Sequence, residues 1–170
     1  GEGHFHGFRE YVIDKTDEKI VPFLNIGSIG LVATNRVPEV RVMSDVDIDR
    51  TMKTAQENRD VIAGLKVRLC SIINAETDLL PLKIGKKIAR MLKLPIVVPV
   101  GRAFPGVEEV LDYLEAGDIL THCFQGKAAS SIVDEAVAFS AARRAQERGV
   151  IFDIGHGAAS FSYRVARECI

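Results

Sequence analysis

Apolar runs of strand length alternate along this chain with amphipathic stretches of helix length. The runs are nearly continuous in apolar residues, which is typical of parallel strands covered on both faces. We place five strands at Ile20 to Ile26, Val61 to Val67, Pro95 to Val100, Asp118 to Cys123 and Val150 to Ile154. The pattern predicts an α/β fold in which helices cover a parallel sheet.

Helical periodicity fills the intervals between these strands. One helix is predicted by an apolar stripe at four-residue spacing, formed by Leu80, Ile84, Ile88 and Leu92. Its other face, which we expect to be solvated, carries Lys83, Lys86, Lys87 and Arg90. Further helices are predicted at Asp47 to Arg59, Val107 to Glu115, Ile132 to Arg148 and from about Ala158. Periodicity does not decide whether the sheet is open or closed, since both forms use the same right-handed units.

Composition narrows the classes of function. The chain has 170 residues, of which 47% are apolar and 26% charged, and its net charge is −1. This balance is typical of a globular chain and offers no electrostatic basis for binding nucleic acid or an anionic membrane. No apolar stretch approaches the roughly 20 residues that cross a bilayer, and no secretory leader is recognisable. We therefore expect a cytoplasmic protein.

Common site motifs are missing from the sequence. No strand is followed by the GxGxxG or GxxxxGK[ST] spacing of phosphate-binding loops, and no GxSxG elbow of a serine hydrolase occurs. The three cysteines, Cys70, Cys123 and Cys169, are widely spaced and form no CxxC pair. A disulfide framework and a structural zinc knuckle are therefore disfavoured.

Polar residues stand instead at the predicted strand ends, and parallel strands bring such residues to one edge of the sheet. They are Asn25, Lys66 with Arg68, His122 with Cys123, and His156. A single histidine after a strand is more often a hydrogen-bonded core residue than a ligand. Lys66, inside the apolar run GLKVR, must reach solvent, pair with an acid or lose its charge. A neutral lysine can also react with carbon dioxide to form a carbamate, whose two oxygens can bridge divalent metals.

Five segments together carry a family resemblance. GFREYVI, GLKVR, LPIVVPVG, DILTHCFQGK and IFDIGHGAASFS follow one another in the order seen in the metal-dependent amidohydrolase superfamily. Within it, the chain resembles the dihydroorotase-like amidohydrolase/deacetylase branch. The resemblance implies a (β/α)₈ TIM-barrel type of fold. It also implies two divalent ions, commonly zinc, that activate a hydroxide to attack an amide or ester carbonyl.

The resemblance assigns roles to individual residues. Lys66 matches the carboxylated lysine after the fourth barrel strand, and His122 matches the metal-binding histidine after the sixth. His156 matches a histidine after the seventh strand, which we place near the substrate together with Arg68. Pro99 stands where the family has its fifth-strand histidine, and a proline side chain cannot ligate a metal.

The length implies that the barrel is incomplete. A complete barrel takes about 250 residues, so residues 1–170 are expected to form a single partial barrel domain of about five β/α units, roughly strands three to seven. The HxH pair of the first strand and the aspartate of the eighth fall outside it. Because such a barrel exposes two sheet edges, we expect self-association into a homo-oligomer or a rearranged sheet.

His4 and His6 imitate the missing HxH pair. They do not end an apolar strand, so a solvated, flexible amino terminus is the alternative to metal binding. Two functions remain open at this stage. The first is a metal-dependent hydrolase of an amide or ester in a small acid, and the second is an inactive barrel fragment that binds or assembles.

Overall fold

A computed structural model describes residues 1–32, 36–69, 79–101, 105–128, 130–155, 157 and 159–170. Within these ranges five strands form one sheet in the order β1-β2-β3-β4-β5. The strands are β1 (Phe23–Asn25), β2 (Gly64–Lys66), β3 (Ile96–Pro99), β4 (Ile119–Thr121) and β5 (Ile151–Asp153). Every neighbouring pair is parallel. The α/β prediction is confirmed, and the described strands form an open sheet rather than a closed barrel.

Helices connect the strands as expected of β/α units. They are α1 (Glu2–Tyr11), α2 (Ile48–Glu57), α3 (Leu80–Leu92), α4 (Val107–Tyr113), α5 (Ala136–Glu147) and α6 (Tyr163–Cys169). Two of these helices begin at side-chain caps, since Asp47 accepts a hydrogen bond from the Arg50 amide and Ser162 accepts one from the Val165 amide. No helix in the described ranges has the length and apolar character needed to span a membrane.

Some predicted boundaries were wrong. Helix α5 begins at Ala136 rather than Ile132, and α6 begins at Tyr163 rather than near Ala158. Ile132 is nevertheless buried, so its apolar character serves the packing of a loop. At the other end of the chain, His4 and His6 lie in α1 rather than in the flexible amino terminus that we considered for them, and the Gly3 amide donates to the Ser28 carbonyl.

The core lies between the sheet and its helices. Its most deeply buried strand residues are Leu65, Ile96, Val98 and Leu120. Helix α3 presses close to the sheet at Gly85, where an added Cβ would lie 2.6 Å from Val67 Cγ2. The buried face of α3 is rotated from the predicted stripe, because Leu82 is fully buried and Leu80 is 37% exposed.

Lys86 corrects the expectation that the basic face of α3 is solvated. Its side chain is buried and its Nζ forms ion pairs with Asp118 and, at 3.1 Å, with Glu115. The buried Asp118 carboxylate also accepts hydrogen bonds from the backbone amides of Ile96 (3.1 Å) and Glu115 (2.8 Å). This cluster ties α3 to the amino-terminal ends of β3 and β4. Periodicity could not reveal it, because the acids lie 29 and 32 residues from the lysine.

The outer strand β5 is poorly covered. Ile151 is 51% exposed and Ile154 is 47% exposed. Beside β5, a groove of about 430 Å³ is lined by apolar side chains that include Phe139, Phe152 and Ile170. An exposed apolar edge of this kind is what an incomplete barrel requires.

We predict that Asp118→Ala lowers the free energy of unfolding by about 3 kcal/mol or more, because it leaves Lys86 and two amides without their buried acceptor. Urea unfolding measures the change. The control is Asp112→Ala, which removes an exposed carboxylate 4.0 Å from Arg144 and should cost less than about 0.5 kcal/mol. Equal losses in the two variants would contradict this account.

Candidate active site

The register of the sheet gathers polar side chains at one edge. Asn25 is paired with Lys66 across β1 and β2, and Thr121 is paired with Asp153 across β4 and β5. Each of these four residues is the last of its strand. His122 follows Thr121 directly. Of the residues predicted to converge, Asn25, Lys66 and His122 therefore lie at this edge of the sheet.

Lys66 is half-buried at the end of β2. Burial lowers the pKa of its amine, and the positive charge of Arg68 lowers the pKa further. Attraction from Glu39 and Asp153 opposes these effects without reversing them. A lowered pKa raises the fraction of neutral amine at pH 7, and the neutral amine is the form that can add to carbon dioxide.

His122 adopts a left-handed backbone conformation with φ of 64°. Such a conformation is uncommon for a residue with a side chain and is often found at functional sites. Burial lowers the pKa of the imidazole, and the nearby charge of Lys66 lowers the pKa further. A hydrogen bond with the backbone of Gly155 and attraction from Asp153 act in the opposite direction. A lowered pKa favours the neutral ring, which is the form that binds a metal.

A small polar cluster surrounds the His122 ring. The Thr121 hydroxyl donates to Asp153 Oδ2 and lies 3.4 Å from His122 Nδ1. Gly155 closes over this cluster with φ of +39°, and an added Cβ would collide with Thr121 Oγ1 and Asp153 Oδ2. Asp153 was missed by sequence reasoning, although its place after the apolar pair of VIFD was a usable signal.

A second buried chain of contacts joins β1 to β2. Glu39 is only 1% exposed, and its Oε2 accepts a hydrogen bond from Asn25 Nδ2 at 3.1 Å. Its Oε1 accepts from Arg68 Nη1 at 2.7 Å. The other end of the Asn25 amide is also committed, since Oδ1 accepts from the Gly27 amide at 2.8 Å. Glu39 was missed because it lies in a connection without periodicity.

The other candidate site residues lie away from this edge of the sheet or outside the described residues. Cys123 is buried, and burial raises the pKa of its thiol to about 11, so it is neither a ligand nor a nucleophile near neutral pH. It lines the apolar groove beside β5. His4 and His6 are exposed on α1, where His6 lies 3.4 Å from Glu10. His156 and Cys70 lie outside the described residues.

Pro99 ends β3, between the strands that carry Lys66 and His122. Its Cα is paired with that of Thr121, and the Val100 amide after it donates to the Thr121 carbonyl at 2.8 Å. The backbone at this position therefore has regular parallel geometry. A side chain with no donor or acceptor atom stands at the centre of the candidate site.

Comparisons with known proteins agree with this geometry. No protein-family model matches the chain. A deacetylase from Agrobacterium fabrum is 50% identical over 170 residues, which is all of this chain and 42% of that protein. A deacetylase from Enterococcus faecalis is 32% identical over 173 residues, which covers all of this chain and 46% of that protein.

Two solved structures superpose closely on this chain. A crystal structure of a dihydroorotase superposes with a TM-score of 0.95 and 50% identity over 99% of this chain and 44% of its own. An adenine deaminase superposes with a TM-score of 0.88 and 31% identity over 100% of this chain and 47% of its own. The chain belongs to the amidohydrolase superfamily. It spans less than half the length of these relatives. Its five parallel strands alternate with helices as in its TIM-barrel neighbours, and the described sheet is not closed.

The residues present fit part of the metal site implied by the amidohydrolase resemblance. Burial lowers the pKa of the His122 imidazole and of the Lys66 amine, and the neutral forms that this favours are the ones that a ligand or a carbamate needs. Within the described ranges, however, no three or more His, Cys, Asp or Glu side chains are grouped so that they could hold an ion. A metal bound here would therefore need further ligands from outside these residues.

We predict that iodoacetamide at pH 7.5 labels Cys169 much faster than Cys123. Cys123 is buried with a thiol pKa of about 11, whereas Cys169 is exposed. Peptide mass spectrometry over a time course separates the two rates. Comparable rates at the two cysteines would show that the groove beside β5 opens readily in solution.

We also predict that Gly155→Ala destabilises the protein more than Gly117→Ala does. Both glycines have positive φ, which costs an alanine about 1 to 2 kcal/mol. At Gly117 an added Cβ meets no described atom within 4 Å, whereas at Gly155 it strikes the Thr121 and Asp153 side chains. The expected difference in unfolding free energy is about 1 kcal/mol or more, and equal losses would contradict the packing around His122.

Proposed function

We propose that the full-length protein is a metal-dependent hydrolase that cleaves an amide or ester bond in a small acid. The observation that carries the proposal is that Lys66 and His122 lie at the same edge of the sheet, where burial lowers the pKa of each side chain and the charge of Lys66 lowers the pKa of His122 further. The deacetylase and dihydroorotase names of the relatives support the same class of reaction.

The proposed cofactor is a divalent metal, with zinc as the first candidate, and carbon dioxide is required to modify Lys66. In that modification the neutral amine forms a bond to the carbon of carbon dioxide and releases one proton to solvent. The carbamate has two anionic oxygens, which suit divalent ions. When bound, the metal would supply a polarised carbonyl and an activated water.

The chain's own residues have separate proposed roles. Lys66 and His122 are the proposed metal ligands, and Asp153 with Thr121 restrains the His122 ring. Arg68 and His156 are proposed to contact the substrate. The side chain of Arg68 is 27% exposed, so it reaches the opening of the site, and its cation suits a carboxylate.

Pro99 favours a second candidate function, a barrel that binds or assembles without turnover. It removes one donor from the centre of the site, and no other described residue of β3 replaces it. The retained pair of Lys66 and His122 favours hydrolysis. Metal content and acetate release from N-acetylated acids distinguish the two functions.

We predict that Lys66→Ala in the full-length protein lowers metal content at least about tenfold after purification with zinc and bicarbonate. A short carboxylic acid such as propionate should restore part of the metal, since its two oxygens replace those of the carbamate. Elemental mass spectrometry gives the ions bound per chain. The control is Lys83→Ala, which removes an exposed lysine over the Tyr113 ring and should retain the metal. Unchanged metal content in Lys66→Ala would overturn the ligand assignment.

A further inference from the structure

Glu39 is the most deeply buried acid among the described residues, and both of its oxygens face the candidate site. One oxygen is held by the Asn25 amide at the end of β1. The other holds the Arg68 guanidinium just beyond the end of β2. The three residues form a chain of contacts that begins at the Gly27 backbone and ends at a partly exposed cation.

The order of the hydrogen bonds from Gly27 to Arg68 suggests the role of these side chains. The Gly27 amide donates to Asn25 Oδ1 and so restrains the plane of the side-chain amide, which sets the direction of the Nδ2–H that donates to Glu39. That donation fixes the orientation of the Glu39 carboxylate, and the carboxylate in turn fixes one arm of the guanidinium. An arginine held in this way loses less side-chain entropy when it binds a carboxylate.

Glu2 provides a matched comparison in the same part of the molecule. Its side chain is 1% exposed, like that of Glu39, and it lies 3.8 Å from Arg50. Glu2 Oε2 is buried without a hydrogen-bond partner in the described structure. A buried acid in this part of the molecule therefore does not necessarily accept hydrogen bonds at both oxygens, as Glu39 does.

We propose that Glu39 is a positioning residue that fixes the Arg68 guanidinium at the carboxyl ends of the strands, where it receives the carboxylate of an anionic substrate. The inference rests on the proposed function, and it names the substrate feature that the site recognises. Glu39 itself does not touch the substrate.

Positioning and simple electrostatics predict opposite results for Glu39→Gln. Glu39 is negative, so its neutralisation alone would raise the local positive potential and strengthen the binding of anions. A glutamine has one acceptor and one donor group, and both neighbours of Glu39 are donors. It can therefore satisfy Asn25 or Arg68 but not both, and positioning predicts that anion binding weakens.

The experiment measures the affinity of the full-length protein for N-acetylglycine and for its neutral analogue N-acetylglycinamide by titration calorimetry. Release of acetate is followed in the same samples. The wild-type protein should prefer the carboxylate, and Arg68→Met should abolish the preference. Glu39→Gln should reduce it about tenfold or more, whereas the control Glu2→Gln should leave it unchanged. Urea unfolding of each variant separates this effect from loss of stability.

Asn25→Ala is the second variant and covers the case in which Glu39→Gln does not fold. It retains the charge of Glu39 but removes the donor that orients it, so the preference should fall in the same direction. The inference is overturned if Glu39→Gln prefers the carboxylate as strongly as the wild-type protein does, or more strongly. If only Asn25→Ala folds, the same result in that variant overturns it. A wild-type protein with no preference for the carboxylate also overturns it. If acetate is released but Glu39→Gln keeps the full preference for the carboxylate, this inference fails and the hydrolase proposal stands. If the preference for the carboxylate depends on Glu39 but no acetate is released, the hydrolase proposal fails and this inference stands.

Discussion

Parallel hydrogen bonding between the strands is the constraint on which the rest of the structure depends. Because all described neighbours run in the same direction, their last residues lie at one edge. Asn25, Lys66, Thr121 and Asp153 come from segments far apart in sequence, yet the register aligns them. The core lies between the strands and their helices, so that edge is where polar side chains can gather near solvent. The candidate site is a consequence of topology before it is a consequence of side-chain chemistry.

Two lysines show how the two ends of the sheet use buried charge differently. At the amino-terminal ends, Lys86 contacts Asp118 and Glu115 directly, and the buried carboxylate is also held by backbone amides. That arrangement satisfies every partner and serves stability. At the carboxyl ends, burial and Arg68 lower the pKa of Lys66, while the nearby acids compensate incompletely. A lysine with a lowered pKa is a candidate for a functional site, whereas a fully paired lysine is not.

Pro99 shows that the similarity of the backbone and the chemistry of the candidate site are separate properties. The superpositions with the dihydroorotase and the adenine deaminase follow the backbone, and the backbone of β3 keeps its regular pairing through Pro99. The side chain at the same position has no atom that could bind a metal. Close similarity of the backbone therefore does not by itself establish the chemistry of a site, because strand pairing depends on the backbone and catalysis depends on particular side chains.

The sequence by itself determined the fold class, the order of the β/α units and the positions of Lys66 and His122, because apolar runs and the polar residues that end them are local features. The tertiary structure alone decided which buried charges are paired. Lys86 looked solvated because helical periodicity says nothing about an acid 32 residues away. Glu39 gave no local signal, because its partners Asn25 and Arg68 lie 14 and 29 residues from it in sequence. Contacts between distant segments form only when the sheet assembles, and the geometry of the candidate site consists of such contacts.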